Sequence, residues 1–219
     1  PVGGSPVSIA SGDLDRDGRL DILQANGMVD SSPDPIYPGC PDYWYWNDKI
    51  ALSPPAVHGY ADRWADLRGR CIFPYERDRI YLNRGTHFVD VAREAGWTQA
   101  GNSRGIALVD LDNDGTLDVI VTHQFAPVSI YRNVSSAKSP NGWIGLALEG
   151  NARDCNRDAV GTRVWIEAAG QTQMREVHAA NGFSAQGDRR LLFGLGSNKG
   201  LVRAEIYWCG AREPLRITL

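Results

Sequence analysis

The chain has 219 residues and a formal net charge of −3. That length holds one large or two small domains with real cores, and the weak acidity leaves no basic stripe to neutralise phosphates, which excludes nucleic acid as a partner. No apolar run approaches the roughly 18–20 residues that cross a membrane as a helix, and no signal peptide is visible.

The chain opens on Pro1-Val2-Gly3-Gly4, runs straight into an apolar strand, and reaches an acidic nonapeptide, Asp13-Leu14-Asp15-Arg16-Asp17-Gly18-Arg19-Leu20-Asp21. The same spacing returns at Asp110-Leu111-Asp112-Asn113-Asp114-Gly115-Thr116-Leu117-Asp118. Carboxylates at positions 1, 3, 5 and 9 with glycine at 6 form a calcium loop, because a hard cation takes six to eight oxygens that alternate residues of a tight turn can aim at one point. Position 7 (Arg19 or Thr116) adds a backbone carbonyl, and the glycine permits the sharp turn. The expectation is two Ca²⁺ sites: Asp13, Asp15, Asp17, Arg19 and Asp21 in one, Asp110, Asp112, Asp114, Thr116 and Asp118 in the other. A plain acidic turn is the competing reading, and the duplicate with matching flanks counts against it.

An EF-hand is excluded. It needs a bidentate Glu at position 12 and helices on both sides, whereas position 12 is Gln24 or Val121. The flanks Ile106-Ala107-Leu108-Val109 and Val119-Ile120-Val121-Thr122 are the short, β-branched runs of buried strands. Each unit is therefore strand–calcium loop–strand.

Arg79-Ile80-Tyr81-Leu82-Asn83 follows the first loop and Ser129-Ile130-Tyr131-Arg132-Asn133 the second, each a strand ending in an Asn turn. The first unit is longer by about 47 residues, an insertion lying at about 27–77. It carries Tyr37, Tyr43, Trp44, Tyr45, Trp46, Tyr60 and Trp64 among prolines Pro33, Pro35, Pro38, Pro41, Pro54 and Pro55. So long a loop is usually functional, and exposed rings would stack on sugars or anchor a protein; the plainer reading is a small core of the loop's own. Val89 to Ala95 is the best candidate for a helical turn or two, and nothing longer is convincing.

Four cysteines allow three pairings, and none lies in a Cys-x-x-Cys zinc, redox or haem motif. The thriftiest pairing is Cys40 with Cys71 across the insertion and Cys155 with Cys209 in the C-terminal part. Disulfides and millimolar calcium both belong outside the cytosol. The histidines His58, His87, His123 and His178 are scattered, and no nucleophile elbow, phosphate loop or His-Glu-x-x-His occurs. His123 directly follows the second apolar strand, at the mouth of a loop, where a satisfied structural histidine is the plainer reading. Asn133-Val134-Ser135 is a glycosylation sequon, meaningful in a eukaryotic secretory pathway.

Gly12 to Gly18, Ile80 to Asn83, and Phe88-Val89-Asp90-Val91-Ala92-Arg93-Glu94-Ala95-Gly96 resemble FG-GAP/VCBS repeats of the cartilage-acidic-protein type. Asn156 to Val164, Arg175-Glu176-Val177-His178 and Leu192-Phe193-Gly194-Leu195-Gly196 are similar to the ASPIC/UnbV domain that follows such repeats. The resemblance implies an all-β protein: calcium-stabilised blades of a partial or open β-propeller at 1–137, then a small β-sandwich-like domain at 138–219. One departure is local: Trp208-Cys209-Gly210-Ala211 stands where the family usually has Trp-Pro-Ser-Gly.

Two repeats are too few to close a propeller of four to eight blades. With no initiator Met and an end at Ile217-Thr218-Leu219, the chain reads as a piece or processed form of a longer protein. The alternative is an open stack whose edges a partner covers. The function that fits is an exported, extracellular or periplasmic recognition or structural component, with calcium structural and a protein partner or self-assembly. An enzyme or enzyme subunit is the alternative, since the UnbV-type domain is also associated with biosynthetic loci; a glycan-binding module acting through the insertion is the third reading.

Overall fold

A computed structural model of the chain describes residues 6–27, 29, 30, 71, 72, 76–98, 100–124 and 126–219. Among them there is no α-helix, only a single 3-10 turn at Ser135–Lys138, and the all-β class holds. The N-terminal strands are β1 (Pro6–Gly12), β2 (Asp21–Asn26), β3 (Val29–Asp30), β4 (Cys71–Ile72), β5 (Glu76–Arg77) and β6 (Arg79–Asn83). They continue with β7 (Phe88–Asp90), β8 (Ala100–Gly101), β9 (Ser103–Val109), β10 (Asp118–His123) and β11 (Ala126–Tyr131). The C-terminal strands are β12 (Gly142–Leu146), β13 (Arg163–Ala168), β14 (Gln171–Glu176), β15 (Leu191–Gly196), β16 (Arg203–Tyr207) and β17 (Leu215–Thr218).

β1, β2, β6 and β7 form one antiparallel sheet in that order, and β11, β10 and β9 form a second. The two acidic loops join β1 to β2 and β9 to β10, so each unit is strand–loop–strand as its β-branched flanks require. β9 packs beside β1 and β2. Their facing sides bury Leu23, Ala25 and Ile80 from the first sheet and Ile106, Leu108, Val119 and Val121 from the second. Trp97 closes this core, its ring 5.3 Å from that of Tyr131. The turn expected after Val89 is present: the Ala95 N–H donates to Val91 O (2.8 Å) and the Trp97 N–H to Ala92 O (2.8 Å).

Two short strands near the ends of the insertion pair with each other, with Val29 opposite Ile72 in the β3–β4 ribbon. The insertion's aromatic residues and the Cys40–Cys71 pairing lie outside the described residues.

The C-terminal part has its own core. β14, β13, β16 and β17 make a four-stranded antiparallel sheet, and β12 pairs with β15. Alternation along β13 and β16 points Val164, Ile166, Ala204 and Ile206 inward, where Val177, Leu191, Phe193 and Val202 meet them. Cys155 and Cys209 are bonded across 54 positions with Cα atoms 5.0 Å apart, as the thrifty pairing expects. The Trp208-Cys209-Gly210-Ala211 departure is thereby explained: it is a tight turn, with the Ala211 N–H donating to Trp208 O (3.0 Å), that carries one half of the bridge.

Candidate metal centre

Both loops are folded by their own carboxylates. In the first, Asp13 at the end of β1 accepts from the N–H groups of Asp17 (3.1 Å) and Gly18 (2.9 Å). Asp21, buried at the start of β2, accepts from Leu14 N–H (2.8 Å) and Asn83 N–H (2.8 Å), tying the loop to the Asn turn after β6. The chain reverses through Arg16 at φ 59° and Gly18 at φ 90°. The result brings carboxylate oxygens of Asp13, Asp15 and Asp21 within 4.8 Å of one another. Asp15 accepts from Arg84 through Oδ2 (2.8 Å), while its Oδ1 is buried with no partner. Asp17 stands outside that cluster, accepting from the Arg19 N–H (2.9 Å) and paired with the Arg19 guanidinium.

The second loop repeats the scaffold. Asp110 accepts from Asp114 N–H (3.1 Å) and Gly115 N–H (3.1 Å); Asp118 accepts from Leu111 N–H (3.0 Å) and Asn133 N–H (2.7 Å). Asn113 at φ 60° and Gly115 at φ 83° make the same reversal. Here the clustered oxygens come from Asp110, Asp112 and Asp114. Thr116 donates its N–H (2.8 Å) and its hydroxyl to Asp114, and Asp112 is paired with Arg132 at 2.5 Å. The two loops thus share four backbone ties and differ in the third carboxylate they gather, Asp21 in one and Asp114 in the other.

Burial pushes the Asp13 carboxyl up to about 6 and the Asp21 carboxyl to about 7, with the neighbouring carboxylates adding to the rise. Buried like charges drawn together favour either protonation or a cation. The donor set is all oxygen, which is the chemistry of a hard divalent ion, and the buried Asp15 Oδ1 has no hydrogen-bond partner among the described residues. The residues present fit calcium.

Sequence reasoning missed that the C-terminal sheets sit on these loops. The Gly194 N–H on β15 donates to Asp13 Oδ2 (3.1 Å) and the Gly196 N–H to Arg16 O (2.9 Å). Asn141 donates to Asp15 O (3.0 Å), and Arg16 reaches Ser139 O (3.3 Å). At the second loop the Arg190 guanidinium donates to Asp110 O (2.6 Å) and to Asn113, and the Trp143 ring lies on Gly115. The signal that pointed here was the Phe193-Gly194-Leu195-Gly196 motif: a Cβ at Gly194 would collide with Asp13 and with the Arg16 backbone.

Asn133, the sequon residue, spends its side-chain amide inside the molecule, donating to Leu14 O (2.8 Å) and Leu117 O (3.2 Å). Of the histidines, His58 lies outside the described residues, His87 and His178 are exposed, and His123 is half-buried in a hydrogen-bonded chain.

Residues 61–121 match the family of FG-GAP-like repeats, a stretch that contains the second loop. Residues 150–214 match the ASPIC and UnbV family, from the start of the disulfide-bonded turn to the last strands. No curated protein matches the chain. The chain therefore carries an FG-GAP-like repeat followed by a C-terminal ASPIC/UnbV domain.

Proposed function

We propose that this is the calcium-binding β-repeat part of an exported protein, a recognition or structural component of an extracellular or periplasmic assembly in which the ion has a structural role. The observation that carries the reading is the convergence of three carboxylates in each loop, held by backbone N–H groups and, in the first loop, leaving a buried oxygen without a partner. Asp13, Asp15 and Asp21 would hold one ion, and Asp110, Asp112 and Asp114 the other. Asp17 and Asp118, the remaining carboxylates of the two repeats, would complete the sets, and Arg19 and Thr116 at position 7 of each would supply a main-chain carbonyl. Calcium supplies charge neutralisation and a fixed point for the strand ends; the protein's own groups set the loop's shape. The Cys155–Cys209 bridge and a millimolar calcium requirement both suit an oxidising compartment outside the cytosol. A protein partner or a second copy would cover the outer strand β11, whose Val128 and Ile130 are 53% and 61% exposed.

The test is thermal melting with chelator, Ca²⁺ and Mg²⁺. A ligand at a hundredfold excess over its Kd adds about 2.7 kcal/mol per site. For a chain of this size that is a rise of roughly 5–10 °C per site. Calcium should restore what the chelator removes, and magnesium, which demands a smaller octahedral site, should restore little. Identical melting in chelator and in calcium would refute the proposal.

A further inference from the structure

A second cluster of polar groups lies away from the loops, at the other end of β10. The Ser129 hydroxyl on β11 is 2.8 Å from Nε2 of His123, and Nδ1 of the same ring is 3.1 Å from the Ser103 hydroxyl on β9. Ser103 donates its only proton to Oδ2 of Asp78 (2.8 Å), which sits between β5 and β6 and also accepts from Asn26 N–H (2.7 Å). These bonds have one consistent direction. Because Ser103 gives its proton to the carboxylate, its oxygen must accept from Nδ1–H. Nε2 then carries the lone pair, and Ser129 must donate to it.

The backbone is shaped to make this contact. Val121 stands opposite Ile106 on β9 and Ser129 on β11, whereas His123 stands opposite Ser103 and Ala126. Two residues on each neighbouring strand therefore face the single Thr122. Such bulges re-aim side chains and are over-represented beside active sites. Here they bring a serine from each side onto the two nitrogens of one ring. Ser103 and Asp78 are buried, while His123 and Ser129 are half-buried, so the chain runs from the interior toward the outer strand. Burial also raises Asp78 to about 6 and lowers His123, which keeps the ring neutral and able to accept at neutral pH. Perturbed groups gathered in this way are a marker of functional sites.

We propose that Ser129 is an activated nucleophile that takes an acyl group from a carboxylic ester, with His123 as its general base and Ser103 and Asp78 as positioning residues. Ser129 Oγ attacks the ester carbonyl carbon as its proton passes to Nε2. The imidazolium keeps Nδ1–H on Ser103, whose hydroxyl relays the Asp78 charge. Collapse of the tetrahedral adduct breaks the bond to the alkoxide, which leaves with the proton from Nε2. Water then attacks acyl-Ser129 with His123 again taking the proton, releasing the carboxylic acid; the net change is ester plus water to acid plus alcohol.

The full chain incubated with a fluorophosphonate probe should gain one adduct, mapped by peptide mass spectrometry to Ser129. It should also turn over p-nitrophenyl acetate. Ser129→Ala should abolish the adduct. His123→Gln should slow labelling at least about a hundredfold, the lower end of what a general base contributes. Ser103→Ala should lower the rate and shift its pH profile without moving the adduct, which a purely structural hydroxyl would not do. No adduct at Ser129 in the unmutated chain, or labelling at an equal rate in a folded His123→Gln variant, overturns the proposal and leaves the four residues as a structural tie. Neither result depends on calcium binding, so failure here and failure of the calcium reading are separable.

Discussion

At the scale of single residues, the first acidic loop holds its carboxyls in surroundings that favour the proton. The folded-state pKa of Asp13 is raised to about 6 and that of Asp21 to about 7, from 3.8, with burial the leading cause in both. Asp78 is raised to about 6 for the same reason. A carboxyl that holds its proton more tightly when folded makes the unfolded chain the stronger acid, so stability falls as pH rises from about 4 toward 7. The metal-free protein should therefore melt at a lower temperature at pH 7.5 than at pH 5.5. The gain from added calcium should be larger at pH 7.5, where no proton has to be displaced. Differential scanning calorimetry at the two pH values, with and without chelator, checks both signs. Gly194 sits where no side chain fits without movement, because a Cβ there meets Asp13 and the Arg16 backbone. Gly194→Ala should cost about 1–3 kcal/mol, the range for overpacking a tight contact, and should weaken calcium binding at the first loop. Urea denaturation and calorimetric titration measure the two effects separately.

At the scale of elements, the acidic loops are the seat on which β12 and β15 rest. Gly194, Gly196, Asn141, Arg190 and Trp143 all meet loop atoms, and several of the acceptors are backbone carbonyls whose positions depend on the loop's conformation. If calcium binds as proposed, its removal would leave clustered carboxylates to repel one another, and the carbonyls they flank should move. Chelation should then speed hydrogen exchange at the Gly194 and Gly196 amides and alter fluorescence from Trp143, while amides of β13 and β16 stay protected. Equal exchange in both states would show that docking and ion binding are independent. The Cys155–Cys209 bridge acts on a different element. It ties the 151–162 turn to the end of β16, where the Cys209 N–H also donates to Thr162 Oγ1 (3.2 Å). The double variant Cys155→Ser, Cys209→Ser should lose about 2–4 kcal/mol. Calorimetry should assign the loss to the C-terminal core, with exchange in β1, β2, β9 and β10 unchanged.

At the scale of the whole molecule, two facing sheets bury one core, a second core fills the C-terminal part, and among the described residues β11 is the outer strand of the second sheet, with Val128 and Ile130 exposed. An exposed edge with apolar side chains is a template for another strand. The chain should self-associate as concentration rises, and Ile130→Lys, which places a charge on that face, should reduce the association in sedimentation velocity without lowering the melting temperature. Association unchanged by Ile130→Lys would place the contact surface elsewhere.

Much of the repeat architecture was legible because it is written in local chemistry. Carboxylates at alternate positions, a glycine where the backbone reverses, and β-branched runs on both sides specify strand–loop–strand without reference to anything distant. The Cys155–Cys209 bond was legible as the thriftiest pairing, since both cysteines lie in the C-terminal part. Other features needed the tertiary structure. The charge partners are long-range: Asp15 and Asp112 are paired with Arg84 and Arg132, which lie beside the Asn turns after β6 and β11. The seat of the C-terminal sheets on the loops depends on Gly194 meeting Asp13 across 181 positions, a contact no periodicity encodes. The Asp78–Ser103–His123–Ser129 chain was hidden for the same reason. Its residues come from separate elements, and paired bulges that shift the register by one residue bring them onto a single imidazole. The sequence alone thus determined the local loops and strands, whose forces act between near neighbours. Only the folded chain decided the charge partners, the docking of the two parts and the polar chain, because those rest on the packing of one sheet against another.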